Sequence, residues 1–192
     1  MRAEPAFRSG WWRDALRRDS PHCDARPSGC AIDLVVLHNI SLPPGRFGGP
    51  FIDALFLGCL DTGADQAFAG LAGLRVSAHF LVRREGQVVQ YVSCAQRAWH
   101  AGASTHRGRT RCNDFSIGIE LEGSDHCAFE AVQYTALARL LPALCAAYPI
   151  ADVVGHSDIA PQRKTDPGPH FDWHALRSLS GLPAALFSAH PR

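Results

Sequence analysis

The 192-residue chain is 46% apolar and 19% charged with a formal net charge of +1, a balance that describes a folded globular protein and excludes a disordered one. A charge so near neutral creates no global field toward nucleic acid or an anionic membrane, so any acidic ligand must be read by individually placed arginines and lysines. The seven cysteines are odd in number and form no CxxC pair; they argue against a disulfide scaffold or a cysteine-rich structural zinc site, and read as small apolar fillers kept reduced.

Residues 1–30 are rich in proline, arginine and serine and are expected to form an arm packed on the domain, with Trp11 and Trp12 as its anchors. That segment has no apolar core of about 7–15 residues before a cleavage site, and no run in the chain approaches the ~20 residues of a membrane span; the protein is expected to stay in the cytoplasm. Residues 31–40 are nearly unbroken apolar and predict a central strand buried on both faces, with His38 near its C-terminal end. Residues 41–50 are a Gly/Pro-rich loop, and 51–74 read as helical or irregular. A β-hairpin is predicted around Glu85-Gly86. Phe115 to Glu122 alternates with period two, setting Ile117, Ile119 and Leu121 on one face and Ser116, Gly118, Glu120 and Glu122 on the other. Residues 129–148 predict one long helix with an apolar stripe of Val132, Leu137, Leu140, Leu141, Leu144 and Tyr148, kinked at Pro142. A short strand at 150–154, a long loop and a short helix near 172–179 follow. The sum is an α/β (α+β) single domain over 31–180, a central mixed sheet flanked by helices, with 181–192 as a C-terminal tail.

The chemistry centres on which of ten histidines bind metal. His38 closes one strand, His156 follows another, and Asp166 sits in a Pro/Gly-bounded loop; two imidazoles and a carboxylate satisfy a catalytic zinc that keeps an open position for water. No local HExxH signature supports the trio, and both histidines also read as ordinary partly buried side chains bonded to backbone. Asp158 competes with Asp166 as third ligand but also reads as a cap or turn residue. Glu120 is either a solvated carboxylate or a base aimed into a cleft. Lys164 is either a surface lysine or a donor beside the metal.

The stretch from Gly155 to Pro169, GHSDIAPQRKTDPGP, resembles the signature of the cytoplasmic 1,6-anhydro-N-acetylmuramyl-L-alanine amidases, the AmpD type. That group sits within the wider zinc N-acetylmuramoyl-L-alanine amidase and peptidoglycan recognition protein family. Five more segments resemble it in order: His38 to Gly45, Phe47 to Pro50, Arg75 to His79, Arg97 to Gly102 and Arg111 to Gly123. Ser157 departs from the pattern, standing where the family often has cysteine, and His170 and His174 decorate a segment that usually lacks histidine.

The resemblance implies one Zn2+ held by His38, His156 and Asp166. It implies Glu120 as general base and Lys164 as donor to the oxyanion. Arg75 and Arg111, in matching motifs, are then expected to read the carboxylates of an anhydromuropeptide stem. Asn39, next to the first ligand, is expected to bind substrate, and Trp99 and His100 to line the groove, although Trp99 also reads as a buried core residue; His79 is read as structural. The implied reaction is hydrolysis of the bond between anhydro-N-acetylmuramic acid and L-alanine in cell-wall recycling, indirectly limiting β-lactamase induction. No obligate protein partner is expected. A non-catalytic peptidoglycan-binding module and an envelope amidase acting on intact wall are the alternatives.

Overall fold

The apolar run at 31–40 supplies the strand around which the molecule is built. The computed structural model describes residues 5–190; the first four residues of the expected arm and the last two of the expected tail lie outside them. A six-stranded mixed sheet is made of β1 (Leu16–Arg17), β2 (Leu34–Ile40), β3 (Phe80–Val82), β4 (Val88–Gln90), β5 (Ser116–Glu122) and β6 (Asp152–Gly155). Its order is β6-β2-β5-β3-β4-β1. Strands β6, β2, β5 and β3 run parallel; the predicted hairpin β3–β4 is antiparallel. The mixed sheet flanked by helices is the predicted fold class.

Leu34, Val35, Val36 and Leu37 are fully buried, as a parallel strand covered on both faces requires. The helices are α1 (Phe51–Phe56), α2 (Ala131–Ala147), α3 (His156–Ile159) and α4 (Trp173–Ser180). Val35, Leu37, Ile117, Ile119 and Leu121 pack against α2 and α4. On the opposite face, Leu81 and Val89 meet α1, while Leu34 and Val36 meet Ala101, Cys112 and Phe115.

The second face of β5 is covered at both ends: Ser116 and Glu122 are fully buried, Ser116 beside the His100 imidazole, while Glu120 between them opens on a cleft. Glu122 answers its burial by accepting from the backbone N–H groups of Gly48 and Arg84. Val132 does not belong to the buried stripe of α2 and is 48% exposed. Gln133 is buried in its place, its N3 side chain accepting from Glu130 N at 3.0 Å and its amide donating to the carbonyls of Val82 and Glu122.

The N-terminal segment is stitched into the sheet rather than draped over it. β1 pairs with β4, and Cys23–Ala25 pairs with Gln96–Ala98. The Trp12 N–H donates to the buried Gln90 side chain at 2.7 Å. The Arg26 guanidinium donates to the carbonyls of Cys94, Asn113, Asp114 and Ser116. All seven cysteines are free. Among the described residues no helix is long and apolar enough to cross a membrane.

Candidate metal centre and its cleft

Parallel strands end on the same edge of a sheet, and that edge is where α/β proteins collect ligand-binding side chains. Here the register sets Glu120 beside His38 and Gly155 beside Leu37. His156, the first residue of α3, therefore lands next to His38. The loop after α3 folds back to bring in Asp166, its carbonyl accepting from Ser157 N at 2.9 Å.

The result is a near-equilateral triangle of donor atoms. His38 Nδ1 lies 2.9 Å from His156 Nδ1 and 2.9 Å from Asp166 Oδ2, and His156 Nδ1 lies 3.0 Å from the same oxygen. Hydrogen bonds cannot satisfy three mutual contacts of this kind. His156 Nε2 lies 3.1 Å from the Ala101 carbonyl, which only an N–H can satisfy, so a neutral His156 presents a lone pair at Nδ1. Lone pairs and a carboxylate converging on one point repel unless a cation sits among them. The donor set, two imidazoles and one carboxylate, is that of a catalytic zinc. Burial pushes His38 down to about 4, the Asp166 contact only partly opposing it, so the ring is neutral and ligand-ready near pH 7.

Asp158 is not part of the triangle. Its Oδ2 accepts from Gly155 N at 2.6 Å and lies 2.7 Å from His190 Nε2. It caps α3 and ties down the C-terminal segment. His79 accepts from Gly118 N at Nδ1 and is fully buried, which suits a structural histidine.

The triangle floors a cleft of about 480 Å³ lined by Asn39, Trp99, His100, Glu120 and Lys164, among others. Glu120 Oε2 is buried there without a hydrogen-bond partner. Burial first, then Asp166, pushes its pKa well up, against the pull of Lys164. Asn39 donates to Asp125 Oδ1 at 2.6 Å and to the Pro167 carbonyl at 3.0 Å, so its amide nitrogen is already engaged. Arg75 is exposed and lines an adjoining hollow that shares Leu55 and Leu74 with the cleft. Arg111 is exposed at a left-handed position, φ 61°, outside the cleft lining, with its nearest charge partner Asp114 at 3.3 Å.

Sequence reasoning passed over Arg163 and Asp125, which also line the cleft. Arg163 donates to the carbonyls of Ala101 and Ala103. Asp125 bridges Asn39 and Thr165, the neighbours of two donor residues. The RKTD run pointed toward the first; nothing in the local sequence marks the second.

A family model described as N-acetylmuramoyl-L-alanine amidase matches residues 28–169. The 1,6-anhydro-N-acetylmuramyl-L-alanine amidase AmpD of Citrobacter freundii is 58% identical over 172 residues, 88% of this chain and 92% of that protein. A crystal structure of a selenomethionine AmpD derivative superposes with a TM-score of 0.88 at 58% identity, over 90% of this chain and 98% of the other. The amidase AmiD of Escherichia coli, solved with the substrate anhydro-N-acetylmuramic acid-L-Ala-D-gamma-Glu-L-Lys, is 34% identical with a TM-score of 0.57, over 80% of this chain and 60% of that one.

Proposed function

The chain belongs to the N-acetylmuramoyl-L-alanine amidase family, and from that membership we propose how it works: as a cytoplasmic zinc hydrolase with Glu120 as its base. It is an amidase, acting on anhydromuropeptides in cell-wall recycling as its 58% identical relatives do. The observation that carries the zinc reading is the convergence of His38, His156 and Asp166 beside an unpartnered Glu120 carboxylate. Seven free cysteines suit a reducing compartment. The amidase domain is assigned to 31–180, with the N-terminal segment adding the edge strand β1 to its sheet and 181–192 as a C-terminal tail.

His38, His156 and Asp166 would hold the ion. Zinc supplies Lewis-acid polarisation of the scissile carbonyl and makes water acidic enough to lose a proton near neutral pH. Glu120, with its empty acceptor oxygen, takes that proton as the water oxygen bonds to the lactyl carbonyl carbon. Lys164, which faces both Glu120 and His38 closely enough to act on their charge, donates to the oxyanion of the tetrahedral intermediate. Glu120 then hands the proton to the L-alanine nitrogen as the C–N bond breaks. Trp99 forms a wall of the cleft. Arg75, in the adjoining hollow, and Arg111, paired with Asp114, would meet the carboxylates of the stem peptide.

Mass spectrometry of anhydromuramyl tripeptide incubated with the protein tests the reading, with polymeric peptidoglycan in parallel. The expected products are free stem peptide and anhydro-N-acetylmuramic acid, with the soluble substrate preferred. Binding without cleavage would make the protein a recognition module. Preference for the polymer would make it an envelope amidase.

A further inference from the structure

A neutral imidazole has one lone pair, so His38 can offer Nδ1 to a metal only while Nε2 keeps the proton. That nitrogen lies 2.9 Å from Nδ1 of His100, and the two rings meet edge to face with centroids 5.0 Å apart. His100 is itself fixed at three points. Its backbone N–H donates to Asn113 Oδ1 at 3.1 Å. Its Nε2 lies 3.1 Å from Ser116 Oγ. Its ring fills the space over Gly118, where a Cβ would come within 2.4 Å of the imidazole. Both ring nitrogens are engaged, which leaves neither for a substrate.

We propose that His100 is a positioning residue of the metal centre: it accepts the His38 Nε2 proton at Nδ1 and donates its own Nε2 proton to Ser116. His38 is thereby held with the Nδ1 lone pair toward His156 and Asp166. The inference rests on the zinc reading above. His156 receives the same service from the Ala101 carbonyl, a backbone group no substitution can delete; His38 depends on a side chain. The relay ends on β5, the strand that carries Glu120, so the first ligand and the base are aligned by one element. Outer partners that fix a ligand's tautomer commonly matter about 10–100-fold in metal affinity.

The test is zinc affinity of the whole chain, by competition with a chromophoric chelator, for wild type, His100→Asn, His100→Leu and Ser116→Ala. Asparagine keeps an acceptor where Nδ1 stood; leucine keeps bulk and offers none. The leucine variant should bind zinc about 10–100-fold more weakly, the asparagine variant within a few-fold of wild type, and the alanine variant between them. Side-chain ¹⁵N NMR of the zinc-loaded wild type should show His38 protonated at Nε2, with a proton protected from exchange that Ser116→Ala exposes. Wild-type affinity in His100→Leu, or equal weakening in the asparagine and leucine variants, overturns the proposal. Should His100→Leu fail to fold, an unchanged affinity and unchanged His38 protection in Ser116→Ala overturns it alone. A wild-type protein that binds no zinc overturns both this and the functional reading, whereas zinc binding insensitive to His100 overturns this alone.

Discussion

Leaving a carboxylate oxygen buried without a partner is costly, and Glu120 Oε2 is the one such side-chain atom among the described residues. A residue that costs stability at the floor of a cleft is better explained by chemistry than by packing. Glu120→Gln is nearly isosteric and removes the ability to take a proton. It should retain zinc and lower kcat by about 10²–10⁴; undiminished turnover would remove Glu120 from the mechanism. Because burial raises the Glu120 pKa, the folded metal-free protein holds that proton more tightly than the unfolded chain. The penalty is absent below the unfolded pKa of about 4.3 and grows as pH rises through it. Metal-free Glu120→Gln should therefore melt above metal-free wild type at pH 7 and nearly with it at pH 4. A difference independent of pH would contradict the burial argument. Asp166→Ala should lose zinc, while Asp158→Ala should keep it, since Asp158 is spent on Gly155 N and His190; elemental analysis of the purified variants decides.

Strand ends do the positioning at the next scale up. β2 and β5 were legible because seven-residue runs leave a clear pattern, continuous in one and alternating in the other. Period two reports which side chains are polar, not what covers them, and Ser116 and Gly118 are small because the His100 ring lies over them. The short strands of the N-terminal segment were illegible for another reason: two or three residues carry no period, and Cys23–Ala25 pairs with a strand some seventy residues later. The side chains that line the cleft come from segments the family likeness had marked, His38 and Asn39 from HNISLPPG, His100 from RAWHAG, Glu120 from IGIELEG, and His156 and Asp166 from GHSDIAPQRKTDPGP, whereas Asp125 stayed hidden because only tertiary folding brings it to Asn39 and Thr165. Asp125 latches the end of β2 to the loop that carries Asp166. Asp125→Ala should weaken zinc binding and cost about 0.5–1.5 kcal/mol in denaturant melts through the loss of its bonds to Asn39 and Thr165, since Asn39 keeps the Pro167 carbonyl. A variant unchanged in both measurements would make the latch ornamental.

On the scale of the molecule, the three proposed ligands come from the end of β2, the start of α3 and the loop beyond it. Bound metal would therefore staple the sheet to the loop that closes it, and stability should rise with zinc as binding to a folded state requires. Net charge near zero creates no general attraction for an acidic muropeptide, so its capture is proposed to fall to the cleft and to individually placed arginines. Cleavage of the muramyl–L-alanine bond is proposed to need one metal at this site. The most direct test of that requirement is turnover of anhydromuramyl tripeptide by metal-stripped protein as zinc is added back in fractions of an equivalent. The stripped protein should show no turnover, and the rate should rise linearly with added zinc and break at one equivalent per chain. Full-rate cleavage by protein shown by elemental analysis to be zinc-free, or stoichiometric zinc binding with no cleavage, would contradict it.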